Sequence, residues 1–131
     1  MSLSGPDEPH LLVVDDDERL RALLQRYLSA NGFRISAACD AAEARALMKS
    51  MAFDALVLDV MMPGLDGLGA LRQLKEHPAT RDIPVVVLSA KGHALTRVEA
   101  EVAGAALFLA KPFSPNQLLG EVQKIIGQIK P

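Results

Sequence analysis

"ALVLDVMMPGLDG", residues 55–67, runs from an apolar segment through one aspartate into two methionines and a Pro-Gly pair. A strand buried on one face alternates apolar and polar residues. An unbroken apolar run is buried on both faces, as in a parallel sheet covered by helices. Asp59 therefore stands at the end of a segment that reads as fully buried. A carboxylate there is costly unless something pairs with it, and its partners have to come from elsewhere in the chain.

Working outward, the same device recurs. Residues 11 to 14, Leu-Leu-Val-Val, form a short apolar run that ends in Asp15, Asp16 and Asp17. Leu20, Leu23, Leu24, Tyr27 and Leu28 follow at helical spacing, and Asn31-Gly32 closes that helix. Phe33 to Cys39 is a second strand. Asp40-Ala41-Ala42-Glu43 is a capping box that opens a short helix through about Met51. Residues 54 to 59 are the third strand, with a helix from about Asp66 to His77. Val85 to Leu88 is the fourth strand, and Leu95, Val98 and Val102 mark the next helix, stopped near Gly104. Ala106 to Ala110 is the fifth strand. Ser114-Pro115-Asn116-Gln117 starts the last helix with N-cap Ser, Pro at its first position and Gln at its third. Leu118, Val122, Ile125, Ile126 and Ile129 carry its apolar face.

Five β/α pairs in strict alternation predict an α/β fold: a single-domain, doubly wound (βα)5 flavodoxin-like sandwich around a parallel five-stranded sheet of order 2-1-3-4-5. The domain is expected over residues 10–130, behind a polar leader over residues 1–9. The chain has 131 residues, a length that suits one domain, and half are apolar. Fourteen basic against sixteen acidic residues give a net charge of −2, which carries no nucleic-acid footprint. No apolar run reaches the roughly 18 residues of a membrane span, and no signal peptide is visible. The single cysteine, Cys39, excludes an intramolecular disulfide and fits a reducing cytoplasm. It is expected to be a small buried hydrophobe.

The strand ends now supply what Asp59 needs. In a parallel sheet they share one edge, so Asp15 and Asp16, Asp59, Ser89 and Lys111 converge. Two anions 4 Å apart repel by about 4 kcal/mol at an effective dielectric near 20. Lys111 offsets part of that, and a divalent cation would offset more. An all-oxygen site suits a hard ion, and magnesium, with manganese as the alternative, leaves waters for a phosphoryl group. A carboxylate beside such an ion is a plausible phosphoryl acceptor, with metal, ammonium and hydroxyl each available to one equatorial oxygen.

The stretches "LLVVDDDE" (11–18), "LVLDVMMPGLDG" (56–67), "PVVVLSA" (84–90) and "FLAKPF" (108–113) resemble the response-regulator receiver domains of bacterial two-component signalling. Each motif alone is weak, but four in order, each at a strand end, are specific. The resemblance implies Asp59 as phosphoacceptor, Asp16 as direct metal ligand and Asp15 as the acid holding metal water. It implies a backbone carbonyl from Met61 on the metal, Ser89 and Lys111 on the phosphoryl group, Phe108 as the switch aromatic, and a cis peptide at Lys111-Pro112. It also implies a phosphohistidine donor on a sensor kinase or phosphotransfer protein, and output through the surface of the fourth helix, fifth strand and fifth helix. The downstream partner, or an output domain outside this sequence, is left open, as is a homodimer. The last helix lacks the arginines that pair across the dimer in the winged-helix transcription-factor branch.

Three other readings compete. An aspartyl-nucleophile phosphatase of the haloacid-dehalogenase type wants Asp-x-Asp after strand one and a cap domain; here the acids are adjacent. A degenerate receiver serving only as a binding module would lack Asp59 or Lys111, and both are present. A flavin or nucleotide site wants glycines in the first βα turn, which here is acidic. The histidines His10, His77 and His93 form no visible ligand set, and Gly64 and Gly67 read as turn residues.

Overall fold

The computed structural model describes residues 8–62, 67–90 and 97–129. Its elements alternate as β1 (His10–Val14), α1 (Glu18–Ser29), β2 (Arg34–Ala38), α2 (Ala41–Ser50), β3 (Ala55–Asp59), α3 (Gly67–Glu76), β4 (Val85–Ala90), α4 (Arg97–Val102), β5 (Leu107–Lys111) and α5 (Pro115–Ile129). The five strands form one sheet in the order β2-β1-β3-β4-β5, and every neighbouring pair is parallel. This is the predicted doubly wound sandwich.

The unbroken apolar runs are explained by two cores, one on each face. Because side chains alternate across a strand, Leu11, Val13, Val57, Val86 and Leu88 join one cluster with Leu24, Leu28, Leu118 and Val122. Leu12, Val14, Leu56, Leu58, Val85 and Val87 join the other with Ala44 and Leu71. Every residue of β1 and β3 is buried.

The helix boundaries follow their caps. Asp17 accepts from the N–H groups of Arg19 and Leu20 at 3.0 and 3.2 Å. Asp40 accepts from Glu43 at 2.8 Å, while the Glu43 carboxylate accepts from the Cys39 N–H at 2.8 Å. Ser114 Oγ accepts from Gln117 at 3.1 Å. Gly32 takes a φ of 94°, which glycine tolerates, as the chain leaves α1.

Several expectations shift. Cys39 is exposed rather than buried, because β2 is an edge strand that ends one residue earlier, at Ala38. On α4, Val98 and Val102, whose spacing marks this helix, are 66% and 82% exposed. Ala100 and Ala103 make the inward contact instead. Strand β5 starts at Leu107 and β4 extends through Ser89 to Ala90. Gly67 is the first residue of α3 rather than part of a turn. Pro9, at the end of the stretch read as leader, is tied to the sheet: its carbonyl accepts from Arg34 N–H at 2.9 Å. Residues 1–7, Gly64, Asp66, His93 and Leu95 lie outside the described residues. Among those described, no helix is long and apolar enough to cross a membrane.

Candidate functional site

The carboxyl ends of β1, β3 and β5 bring Asp15, Asp59 and Lys111 together. Asp15 lies one residue past β1, Asp59 is the last residue of β3 and Lys111 the last of β5. All three have the pleat parity of the same sheet face, the one whose core includes Val13, Val57 and Leu109. Lys111 Nζ donates to Asp15 Oδ2 at 3.0 Å and to Asp59 Oδ2 at 3.3 Å. Asp15 is fully buried, Asp59 is 2% exposed, and the lysine side chain keeps a quarter of its surface in solvent.

Both carboxylates are held through their second oxygens as well. Asp15 Oδ1 accepts from the Asp17 N–H at 2.9 Å, inside the turn that leads into α1. Asp59 Oδ1 accepts from the Met61 N–H at 2.8 Å, which fixes the Met61 backbone beside it. Asp16 lies exposed between these acids and the helix cap. Carboxylate oxygens of Asp15, Asp16 and Asp59 lie within 4.8 Å of one another, a grouping that could hold a metal ion.

Two carboxylates and one ammonium leave this cluster short of positive charge, and the titration behaviour reflects it. Burial pushes the Asp59 carboxyl above its usual range. The Met61 N–H opposes that shift, the charge of Asp15 adds to it and Lys111 opposes it, with the upward push prevailing. Burial works to lower Lys111, but the hydrogen bond and charge of Asp15, then those of Asp59, outweigh it and hold the ammonium above its usual range. A small hard cation fits this donor set. The ligand atoms are all oxygens, they are close enough to share one ion, and one acid is open to solvent while two are buried.

Ser89 and Phe108 occupy a different position from the three converging groups. Ser89 is fully buried and pairs with Ala110 across β4 and β5, one residue beyond Leu88, the cross-strand neighbour of Asp59. Phe108 is the second residue of β5 rather than near its end, and pairs with Val87. Both have the pleat parity of the opposite sheet face, where the half-buried ring of Phe108 packs against the second cluster. The Lys111-Pro112 peptide is cis.

Two residues escaped the sequence reading. Arg21 Nη1 donates to the Asp15 carbonyl at 2.8 Å, bracing the loop that presents the acids. The Arg97 guanidinium lies 5.6 Å from the centre of the Phe108 ring. A basic residue early in the helix after an acidic strand end is a faint signal for the first. No local pattern marks the second, since Arg97 and Phe108 meet only through the fold.

Comparison with known proteins agrees with this geometry. Residues 11–123 match the family model of the response regulator receiver domain. The chain is 48% identical over 121 residues to protein PetR of Rhodobacter capsulatus, covering 92% of this chain and 50% of that protein. It is 44% identical over 121 residues to the response regulator MprA of Mycobacterium avium, covering 92% and 52%. The chain thus spans about half the length of the curated relatives it matches. Among solved structures, a Francisella response regulator receiver domain superposes with a TM-score of 0.84 at 32% identity, over 93% of this chain and 99% of that one. The chemotaxis response regulator CheY4 of Vibrio cholerae does so with a TM-score of 0.81 at 27% identity, over 90% and 98%.

Proposed function

The chain belongs to the response-regulator receiver family, a phosphorylation-activated switch of two-component signalling, and from that premise we propose that Asp59 accepts the phosphoryl group. One observation carries this reading: a buried aspartate pair bridged by a single lysine at 3.0 and 3.3 Å, with a third, exposed acid beside it.

In this reading Asp15, Asp16, Asp59 and the Met61 carbonyl hold magnesium, or manganese in its place. The bound ion would supply positive charge to the oxygens of the incoming phosphoryl group. The protein's own groups do the rest. The Met61 N–H and the Lys111 ammonium fix the two Asp59 oxygens, so the nucleophile loses little freedom at reaction. One carboxylate oxygen attacks phosphorus as the bond to the donor's imidazole nitrogen breaks, and the bond electrons leave with the imidazole. Lys111 stabilises charge on an equatorial oxygen, and Ser89, once its hydroxyl turns toward the new group, does the same. The donor is a phosphohistidine of a sensor kinase or phosphotransfer protein. Turnover is limited to this transfer and slow self-hydrolysis. The output surface is the α4-β5-α5 face, supported by the exposure of Val98 and Val102 on α4.

Incubation with acetyl phosphate and magnesium should add one phosphoryl group, seen by intact mass. Borohydride trapping and peptide mapping should place it on Asp59, and Asp59→Asn should abolish it. Undiminished label in Asp59→Asn would assign the acceptor elsewhere.

A further inference from the structure

A trough lies between α2 and α3, on the sheet face away from the Asp15–Asp59–Lys111 bridge. Its floor is Val14, Leu56 and Leu58. It exists because the residues where the two helices face each other are small: Ala41 and Ala44 on α2, Ala70 on α3. Their missing volume leaves a cavity of about 450 Å³. A second cavity of about 400 Å³ continues it toward Phe53 and Ile83, and the two share Met48, Lys49, Ala79 and Thr80. The result is elongated and mostly apolar, within the size range of small-molecule sites. Met48 at the junction is an adaptable side chain that can reshape around an occupant.

The lysine and arginine at its edge are both cationic, beside the neutral Gln73 and Thr80. Arg45 and Lys49 stand four residues apart on α2, neighbours on one helix face. His77 faces them from the end of α3, its Nδ1 accepting from the Ala79 N–H at 3.1 Å, which leaves Nε2 for a ligand. No Asp or Glu lines either cavity. Neither Arg45 nor Lys49 forms an ion pair with a described residue.

We propose that this trough binds a free medium-chain carboxylate, with its alkyl chain along the half-buried walls of Met48, Ala70 and Leu74, above the covered floor, and its carboxylate on Arg45 and Lys49. An elongated apolar channel selects a chain, and a cationic pair with no acid in the lining and no ion pair among the described residues selects an anionic head. The site is independent of the phosphoryl chemistry.

The test is a methyl NMR titration of the whole chain with decanoate, decanol and decylammonium, each below its micelle concentration. Decanoate should shift the methyl groups of Ala44, Leu58, Ala70 and Leu74 in a saturable way and bind at least ten-fold more tightly than decylammonium. The double variant R45Q/K49Q, altered only at exposed positions, should erase that preference and leave decanol binding unchanged. Ala70→Leu should fill the trough and weaken all three probes. Equal affinity for decanoate and decylammonium would overturn the proposal, as would shifts centred on another surface. Response only to anionic vesicles would mark a lipid-surface contact instead. Trough shifts that follow protein concentration without any probe would mark a second copy as its occupant. Either result also overturns the proposal.

Discussion

Asp59 is held where ionisation is costly, and that cost is measurable. Its pKa is raised above the usual 3.8, first by burial and then, against the Met61 N–H, by the charge of Asp15. A folded-state pKa above the unfolded one means the native state binds more protons between the two values. Asp59 therefore contributes stability at low pH and loses it as pH rises through the folded value. At neutral pH the ionised side chain is a net cost. Asp59→Asn keeps the shape and removes the charge, so it should raise the melting temperature at pH 7 by about 2–5 °C, the scale of about 1 kcal/mol. In the proposed function millimolar magnesium should stabilise the wild type, and it should stabilise this variant less. Lys111→Met does the reverse: it strands two buried carboxylates and should cost about 2–3 kcal/mol in urea unfolding at pH 7. Full burial would make the loss larger, but Lys111 is a quarter exposed. If Asp59→Asn melts below wild type, burial and the Asp15 charge do not dominate at this position. These residues were legible in sequence because each closes an apolar run. Arg21 was not, since its guanidinium reaches the Asp15 carbonyl only once α1 has turned back over the loop.

Elements are placed by close contacts that composition hides. Gly67 opens α3, and a Cβ there would meet Val60 Cβ at 2.4 Å and its Cα at 3.2 Å. In an open helix, Gly→Ala gains about 1 kcal/mol. Here the added methyl must displace buried Val60, the residue directly after Asp59, and overpacking of this kind costs about 1–3 kcal/mol. Gly67→Ala should therefore be net destabilising by about 1 kcal/mol in chemical denaturation. A stabilised variant would show that α3 slides away freely. Sequence alone suggested only a turn glycine, because the constraint comes from a residue seven positions earlier. At the opposite sheet edge, His10 joins β1 to β2: its Nε2 lies 2.7 Å from Ser36 Oγ, and Arg34 Nη2 lies 3.4 Å from its Nδ1. Burial lowers its pKa below 6.5, and the Arg34 charge adds to that, against the Ala52 carbonyl and Asp54. The folded value lies below the unfolded one, so the unfolded chain binds more protons in that window. Stability contributed by neutral His10 is present above about 6.5 and is lost as pH falls toward the folded value. Urea unfolding at pH 7.5 and pH 5 should show a smaller acid loss for His10→Gln than for wild type. Equal losses would remove His10 from the pH response.

At the scale of the whole molecule, the sheet order and the shared strand edge were legible because β1, β3 and β4 are unbroken apolar runs that only a doubly covered parallel sheet accommodates. For the fourth helix the spacing marked the element but not its facing, since apolar spacing is the same signal whether valines face a core or a partner. In the proposed function that face also carries the switch. Ser89 and Phe108 share one side of the sheet, with Val87 paired to Phe108 and Ser89 to Ala110. They are thus offset by two residues along neighbouring strands, about 7 Å. Ser89 is fully buried, and the half-buried Phe108 ring lies under Arg97. If the Ser89 hydroxyl turns to a phosphoryl group on Asp59, the space behind it opens to the ring. Burying the rest of that ring is worth about 1–2 kcal/mol. Leaving Arg97 costs about 0.5–1 kcal/mol at an exposed site. The two nearly balance, so phosphorylation need only bind the inward state somewhat better to shift the population. Beryllofluoride, which mimics the phosphoryl group, should then shift NMR signals from Asp59 through Ser89 to residues 97–111. Arg97→Ala removes only the outward contact, so without beryllofluoride its spectrum should move part of the way along the same shift vectors. That displacement corresponds to a two- to five-fold change in the inward-to-outward ratio. Perturbations that stop at Ser89, or an Arg97→Ala spectrum displaced off those vectors, would leave Phe108 as ordinary packing and the face without a switch.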